Sequence, residues 1–512
     1  MYSVVNTATI FGIDSSLISV EADISDGMPM FEMVGYLSSE VKEAKERVRA
    51  ALKNEGFSLP VKRITVNLSP ANIRKTGSGF DLPVAVAVLS AIGIIPGENL
   101  KNVCIFGEIA LNGRIQPING VLPMVLEARE QGLTACIVPA ANLREARLVP
   151  DITCIGVSQL SEVVALLQTD EFYDSKPQEL EEIKEPDELG VYDFSMINGQ
   201  PGLRRACEVA ISGMHNMLMV GPPGAGKSMI AKCIPSILPP MTPQEQIELS
   251  KIYSVCGKFD EKNGLITRRP FRSPHHTVSE QGLTGGGSNP KPGEISLAHG
   301  GVLFLDELTE FRKSTLEILR QPLEDKQVSI SRANGSCTFP ANFNLIAAMN
   351  PCSCGYYPDL NRCHCSRQSI ANYLGKISQP LLDRIDICVE APTLDYNDVV
   401  NKEANECSAD IRKRVVACHE IQRKRYEGMG FSHNSDIPSN LIDTYCRLDE
   451  DCTQYMRGAY ERYSLTARTY HKVLKVARTI ADMAGSEEIE LNHLGEAVMY
   501  RGLDKKYWEE RI

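Results

Sequence analysis

A lysine and a hydroxyl placed after glycines at fixed spacing are the residues of this chain with the most definite chemistry. The run Gly221-Pro222-Pro223-Gly224-Ala225-Gly226-Lys227-Ser228 fits G-x-x-x-x-G-K-[ST], a pattern whose backbone N–H groups turn inward around phosphate oxygens. In such a loop Lys227 reaches the β- and γ-phosphates of ATP, and the Ser228 hydroxyl ligates Mg²⁺. A plain glycine-rich turn is the alternative that the letters alone allow. Further along, the apolar run from Gly301 to Leu305 ends in Asp306 and Glu307. Asp306 is placed to hold the Mg²⁺ shell, and Glu307 to polarise an attacking water. The apolar run from Asn344 to Met349 ends in Asn350, whose amide either orients that water or caps the following turn. Arg384, between Asp383 and Asp386, either reaches the γ-phosphate of a neighbouring subunit or pairs with one of those aspartates. Arg468, near the start of a helical pattern over 465–478, suits a second phosphate sensor carried on a lid. The order of these residues is more specific than any one of them, and it predicts ATP hydrolysis.

The elements that must hold these groups follow from apolar patterning. Residues 215–220 read as a buried strand and 229–238 as a helix, so the phosphate loop opens a helix whose N-terminus favours anions. Residues 302–305 read as a strand buried on both faces, with its acids at the carboxyl end, where open α/β sheets bind ligands. The expected fold is multidomain α/β. Residues 1–168 read as an α+β domain, with strands at 4–10, 18–24 and 64–68, helices at 39–55 and 82–92, and further elements at 103–109, 127–131 and 135–138. An acidic stretch with Pro177 and Pro186 makes 169–192 a linker. The ATPase core spans 193–394, and 395–512 reads as a helical lid with no strand signal.

The chain has 512 residues, 43% hydrophobic and 23% charged, an ordinary composition for globular protein with several cores. No apolar run reaches the eighteen or so residues that span a bilayer, and residues 1–7 lack the basic and apolar regions of a signal peptide. A cytoplasmic protein without a membrane partner is expected. The net charge of −11 excludes a globally basic nucleic-acid binder but not DNA held by local loops. Most of the sixteen cysteines read as small buried apolar residues. Four are grouped: Cys352, Cys354, Cys363 and Cys365, two C-x-C pairs that can close a tetrahedral Zn²⁺ site, stay free as thiols, or serve redox chemistry. His275 and His276 are adjacent, so on an extended segment they point to opposite faces; a channel loop is expected there, not joint metal ligation. The basic runs 412–414 and 423–425 read as solvated helix faces.

Longer segments carry a family resemblance. These are Phe271-Arg272-Ser273-Pro274-His275-His276-Thr277, Leu283 to Gly287, Pro292 to Leu308, Leu319 to Glu324, Val328 to Arg332 and Ala347 to Cys352. With the phosphate loop, they make the chain resemble the magnesium-chelatase-like AAA+ ATPases, and within them the ComM/YifB family. The resemblance implies a ring-shaped homohexamer with ATP between subunits and DNA or another polymer in the channel. ComM-type members are regarded as branch-migration helicases that support recombination and natural transformation. The N-terminal region resembles the Lon proteolytic domain and its relative in RadA: Gly107 to Leu122 matches the Lon segment, with Leu122 where Lon carries its catalytic lysine. Ser78 falls one residue out of register with the Lon nucleophile, leaving Gly79 there. A leucine accepts no proton, so the resemblance implies a domain without the protease dyad. Lys75 and Ser78 match a RadA segment and either touch phosphate or form a glycine-rich turn. Two functions stay open: a DNA motor, with Lys291 and Arg332 as channel-loop phosphate contacts, and a chelatase- or chaperone-type ATPase that remodels a protein complex.

Overall fold

The computed structural model describes residues 1–169, 192–259, 264–287, 289–332, 335–394, 396, 405–502 and 507–508. The acidic segment read as a linker lies almost wholly outside them.

The chain begins with a long antiparallel pair, β1 (Tyr2–Phe11) and β2 (Asp14–Ser25). With β3 (Met30–Val34), β4 (Arg63–Ser69), β5 (Val103–Ile105), β6 (Ala135–Pro139) and β7 (Thr153–Val157), it forms a mixed seven-stranded sheet ordered β3-β4-β2-β1-β5-β6-β7. Helix α1 (Ser39–Asn54) is capped by Ser38 and buries Val41, Ala44, Val48, Ala51 and Leu52, the stripe that its three- and four-residue spacing dictates. Helix α2 (Asp81–Ala91) has no polar face, and it is buried almost all round. Residues 103–109 are not one strand: β5 stops at Ile105 and a separate two-residue strand takes Glu108–Ile109. Helix α3 (Val121–Glu130) carries the apolar segment around Leu122.

The second sheet is parallel throughout. Helix α4 (Pro201–Gly213) leads into β8 (Met217–Val220), and α5 (Lys227–Cys233) follows the phosphate loop. The helix read over 229–238 changes to a 3₁₀ turn at Ile234, because Pro235 supplies no N–H to the α-helical ladder. After α6 (Pro243–Val255) come β9 (Phe271–Arg272), β10 (Val302–Leu305), the hairpin β11 (Gln327–Arg332) and β12 (Gly335–Pro340), β13 (Asn344–Met349) and β14 (Ile387–Glu390). The order β9-β10-β13-β8-β14 puts β8 between β13 and β14. Strands β8, β10 and β13 are buried at every position, as their unbroken apolar runs require when helices cover both faces.

Among the described residues beyond 405 only helices and turns occur. Helices α7 (Ser408–Arg425) and α8 (Ala467–Met483) pack on α4. The basic runs of α7 are not simply solvated. Arg414 reaches Glu208 of α4 at 2.5 Å, and Arg425 grips the buried Asp482 of α8. Facing acids on neighbouring helices decide this, and a single-helix pattern does not show them. Helices flanking the two sheets also meet: the Gly120 N–H at the start of α3 donates to the Ser254 carbonyl of α6 at 3.1 Å, and the Ser254 hydroxyl bonds the buried Glu145 carboxylate.

Candidate nucleotide site

Three parallel strands end side by side and deliver their next residues to one place. β8 leads into the phosphate loop, β10 into Asp306 and Glu307, and β13 into Asn350. Gly224 and Gly226 take φ of +80° and +82°, the left-handed conformation that lets the loop wrap an anion. The Lys227 ammonium is buried and donates to the carbonyls of Gly221 at 2.6 Å and Pro222 at 2.8 Å, and to Asn350 Oδ1 at 3.2 Å. Burial pulls its pKa down to about 8, although the Asp306 and Glu307 carboxylates act in the opposite direction. The Ser228 hydroxyl donates to Asp306 Oδ2 at 2.6 Å. A hydroxyl and a carboxylate in contact are the donor set that Mg²⁺ takes when it is bound through a nucleotide.

Glu307 stands at φ 51°, ψ 51° with its side chain 59% exposed. Its carboxylate faces His276, Nδ1 to Oε2 3.7 Å. The two histidines do not diverge: their rings lie 4.0 Å apart, centroid to centroid, because the segment after β9 turns there instead of staying extended. Gln200 was not visible as functional in the sequence. At φ 55° and buried, it donates through Nε2 to the carbonyl of Ala225 in the phosphate loop at 3.2 Å and to Pro392 at 2.6 Å.

The arginines lie elsewhere. β8 and β14 run parallel, with Met217 beside Ile387 and Val220 beside Glu390. Arg384 precedes β14, so it sits at the amino ends of the strands while the phosphate loop lies at the carboxyl ends. The four-residue β8 between them spans about 13 Å at 3.3 Å per residue. Arg384 pairs with neither Asp383 nor Asp386. It meets Glu324 and donates to the carbonyls of Arg320 at 2.9 Å and Pro380 at 2.7 Å. Asp386 is taken by the Asn216 N–H at 2.9 Å and by Lys472 of α8 at 2.7 Å. Arg468 also approaches Glu324, at 3.6 Å. Both arginines therefore line one cleft of about 1270 Å³ between the sheet and the helical segment, with Lys326 and Lys472. A sensor over this chain's own phosphate loop is not what Arg468 forms here, because α8 docks at the opposite edge of the sheet.

The four cysteines do converge. Their sulfurs lie within 4.8 Å of one another, with Cys352 to Cys354 at 3.3 Å, Cys354 to Cys363 at 3.6 Å and Cys352 to Cys363 at 3.8 Å. A tetrahedral Zn²⁺ with bonds of about 2.3 Å sets its sulfurs about 3.8 Å apart, so the set fits that ion. Lys291 and Arg332 are exposed on neighbouring two-stranded turns. Lys291 pairs with Gly286, and a Cβ on Gly286 would lie 3.4 Å from Arg332 Nη2. Lys75, by contrast, is fully buried with its ammonium on the Pro70 carbonyl, and Ser78 bonds Glu108. A buried ammonium offers no surface for a phosphate, so the glycine-rich turn is the reading that stands. Leu122 is a buried core residue whose N–H donates to Glu145 at 3.0 Å.

A parallel sheet with a phosphate loop on its central strands, an acid pair and an amide at the adjoining tips, and a helical segment behind defines a P-loop ATPase fold of the AAA+ class. The chain matches the family of magnesium chelatase, subunit ChlI, over residues 193–399, the family of subunit ChlI of Mg-chelatase over 20–142, and that of magnesium chelatase, subunit ChlI C-terminal, over 405–501. It is 40% identical to the competence protein ComM of Haemophilus influenzae, over 98% of this chain and 97% of that protein. Identity to the YifB protein of Escherichia coli is 38%, again over 98% and 97%. Lon protease 2 of Bacillus subtilis is 28% identical over 36% of each chain. The chain belongs to the ComM/YifB family of magnesium-chelatase-like AAA+ ATPases, with a Lon-like N-terminal region.

Proposed function

We propose that this protein is an ATP-hydrolysing homohexameric motor that acts on DNA, as a branch-migration helicase in recombination or transformation. One observation carries the reading. Lys227, Ser228, Asp306, Glu307 and Asn350 converge at the strand tips, while Arg384 and Arg468 line a cleft at the opposite ends of the strands. A site divided in this way is completed by the arginine face of a second copy, as ring assembly supplies. The loop from Gly221 to Gly226 and Lys227 hold the phosphates of ATP. Ser228 and Asp306 hold Mg²⁺, which neutralises charge on the β- and γ-phosphates. Glu307 takes the proton of the attacking water, aided in placement by His276, and Asn350 orients that water. Arg384 of the neighbouring copy stabilises charge on the departing γ-phosphate, and Arg468 senses it from the same side. The four cysteines hold one structural Zn²⁺. Residues 1–168, 169–192, 193–394 and 395–512 are the Lon-like domain, linker, ATPase core and lid of each subunit.

Support for DNA as the substrate comes from the relationship to a competence protein and from Lys291 and Arg332 on adjoining turns. Adding four-way-junction DNA to the purified protein at low salt should raise its ATPase rate. Binding should fall steeply with salt, since each neutralised phosphate releases counterions, and Lys291→Ala/Arg332→Ala should weaken it without sequence dependence. An ATPase rate indifferent to every DNA form would leave protein remodelling as the function.

A further inference from the structure

The four-cysteine loop touches the nucleotide site twice. Along the chain, Cys352 follows Asn350 by two residues, and Asn350 Oδ1 accepts from the Lys227 ammonium at 3.2 Å. Through space, Gly355 packs on the phosphate loop: at its φ of +85°, a Cβ would come within 2.5 Å of Pro223 Cδ and 3.3 Å of Pro223 Cγ. Residues 351–366 contain no helix or strand, so few backbone ladders hold this loop in shape. What draws it together is the sulfur cluster, with Cys352 fully buried and the Tyr357 N–H donating to its sulfur at 3.4 Å. Beyond the loop, the helix Arg367–Leu374 begins at its Ser366 cap.

We infer that the four thiolates and their metal brace the ATP site, so that losing the metal loosens the hold on nucleotide. This rests on the Zn²⁺ reading above and goes beyond it. A structural metal contributes its binding free energy to the fold of the segment that ligates it. Here that segment backs Pro223 and continues the chain directly from Asn350. When the metal is removed, loop entropy returns, and both contacts lose the support that holds the phosphate cradle ready. The loop is thus a device by which chelation lowers nucleotide occupancy without altering any residue of the phosphate cradle.

The test uses the full chain purified under reducing conditions, with zinc measured by elemental analysis and affinity by titration with a fluorescent ADP. About one zinc per chain is expected. Stripping with a chelator should weaken ADP binding by roughly tenfold, a coupling of ordinary size for groups in contact, and added Zn²⁺ should restore it. Gly355→Ala keeps all four ligands but drives a methyl into Pro223. It should retain its zinc and still lose affinity to a similar extent, and Pro223→Ala in the same chain should recover part of that loss. If stripping unfolds the chain, the Gly355→Ala pair decides alone. Zinc present with affinity unchanged in Gly355→Ala overturns the brace and leaves the metal site standing. Zinc absent from the reduced protein overturns both.

Discussion

Glu307 occupies the left-handed region, at φ 51° and ψ 51°, which costs a non-glycine residue about 1–3 kcal/mol. The strain turns its carboxylate out of the strand line, toward open space beside His276 and away from Asp306, whose Oδ1 accepts the Glu307 N–H at 2.9 Å. A group so held stands where the proposed reaction needs a base, without being a phosphate ligand. Glu307→Gln should therefore bind ATP as the parent does and hydrolyse it on the order of 10²–10⁴ times more slowly, the range for loss of a general base. Nucleotide titration and phosphate release read the two effects separately, and near-parental turnover would remove Glu307 from the reaction. Lys227 sets a pH dependence. Burial holds the free ammonium near pKa 8, against an ordinary 10.5, while bound phosphates favour its charged form. Binding then takes up a proton at alkaline pH, and affinity should fall as pH rises through about 8 toward the ordinary lysine value. Calorimetry in two buffers of different ionisation enthalpy would show that uptake, and an affinity flat from pH 7 to 10 would contradict it.

At the scale of elements, the junction between the sheet and α8 is held by one buried ionic cluster. Asp386, just before β14, accepts from Lys472 at 2.7 Å and from the Asn216 N–H. His215, just before β8, bonds Thr479 of α8 at 2.7 Å. Burial alone would raise the Asp386 carboxyl, but Lys472 and His215 outweigh it and bring its pKa to about 2, below the ordinary 3.8. A depressed carboxyl stabilises the fold above the unfolded value, and that contribution is lost as pH falls through about 4 to 2. Asp386→Asn leaves a buried ammonium unpaired, which costs about 3 kcal/mol. Hydrogen exchange at the amides of α8 should then lose protection in proportion, while β1 and β2, in the other sheet, stay as they were. Equal protection in α8 would mean that packing of its apolar face alone holds it.

For the whole molecule, the separation of Arg384 from its own phosphate loop means that, in the proposed ring, a second copy would have to supply the arginine. Arg384→Ala should bind ATP and lose on the order of 10³-fold or more in hydrolysis, as removal of an arginine finger does. Lys227→Ala should lose nucleotide binding instead. Mixed rings of the two variants contain interfaces that join an intact loop to an intact arginine, so activity should partly return. Failure of rescue in rings shown to be mixed would count against an arginine acting in trans.

The sequence alone determined where the candidate groups that are local in the chain would lie. The phosphate loop is contiguous, each strand that leads to the candidate site is an unbroken apolar run, and the first polar group after it is its candidate residue; such signals survive in any fold that buries the strand. The helical character of the C-terminal region and the two C-x-C pairs were legible for the same reason. Only the tertiary structure decided the partners. Glu324 meets Arg384 and Arg468 across one cleft, His276 turns toward Glu307, Gln200 steadies Ala225, and Gly355 backs Pro223. Each contact joins segments whose patterns are set by their own burial, and nothing in either pattern names the other. Where α8 docks decided the edge of the sheet that its arginine serves. That choice rests on buried pairs such as Asp386–Lys472, whose energy exists only once the two elements have already come together.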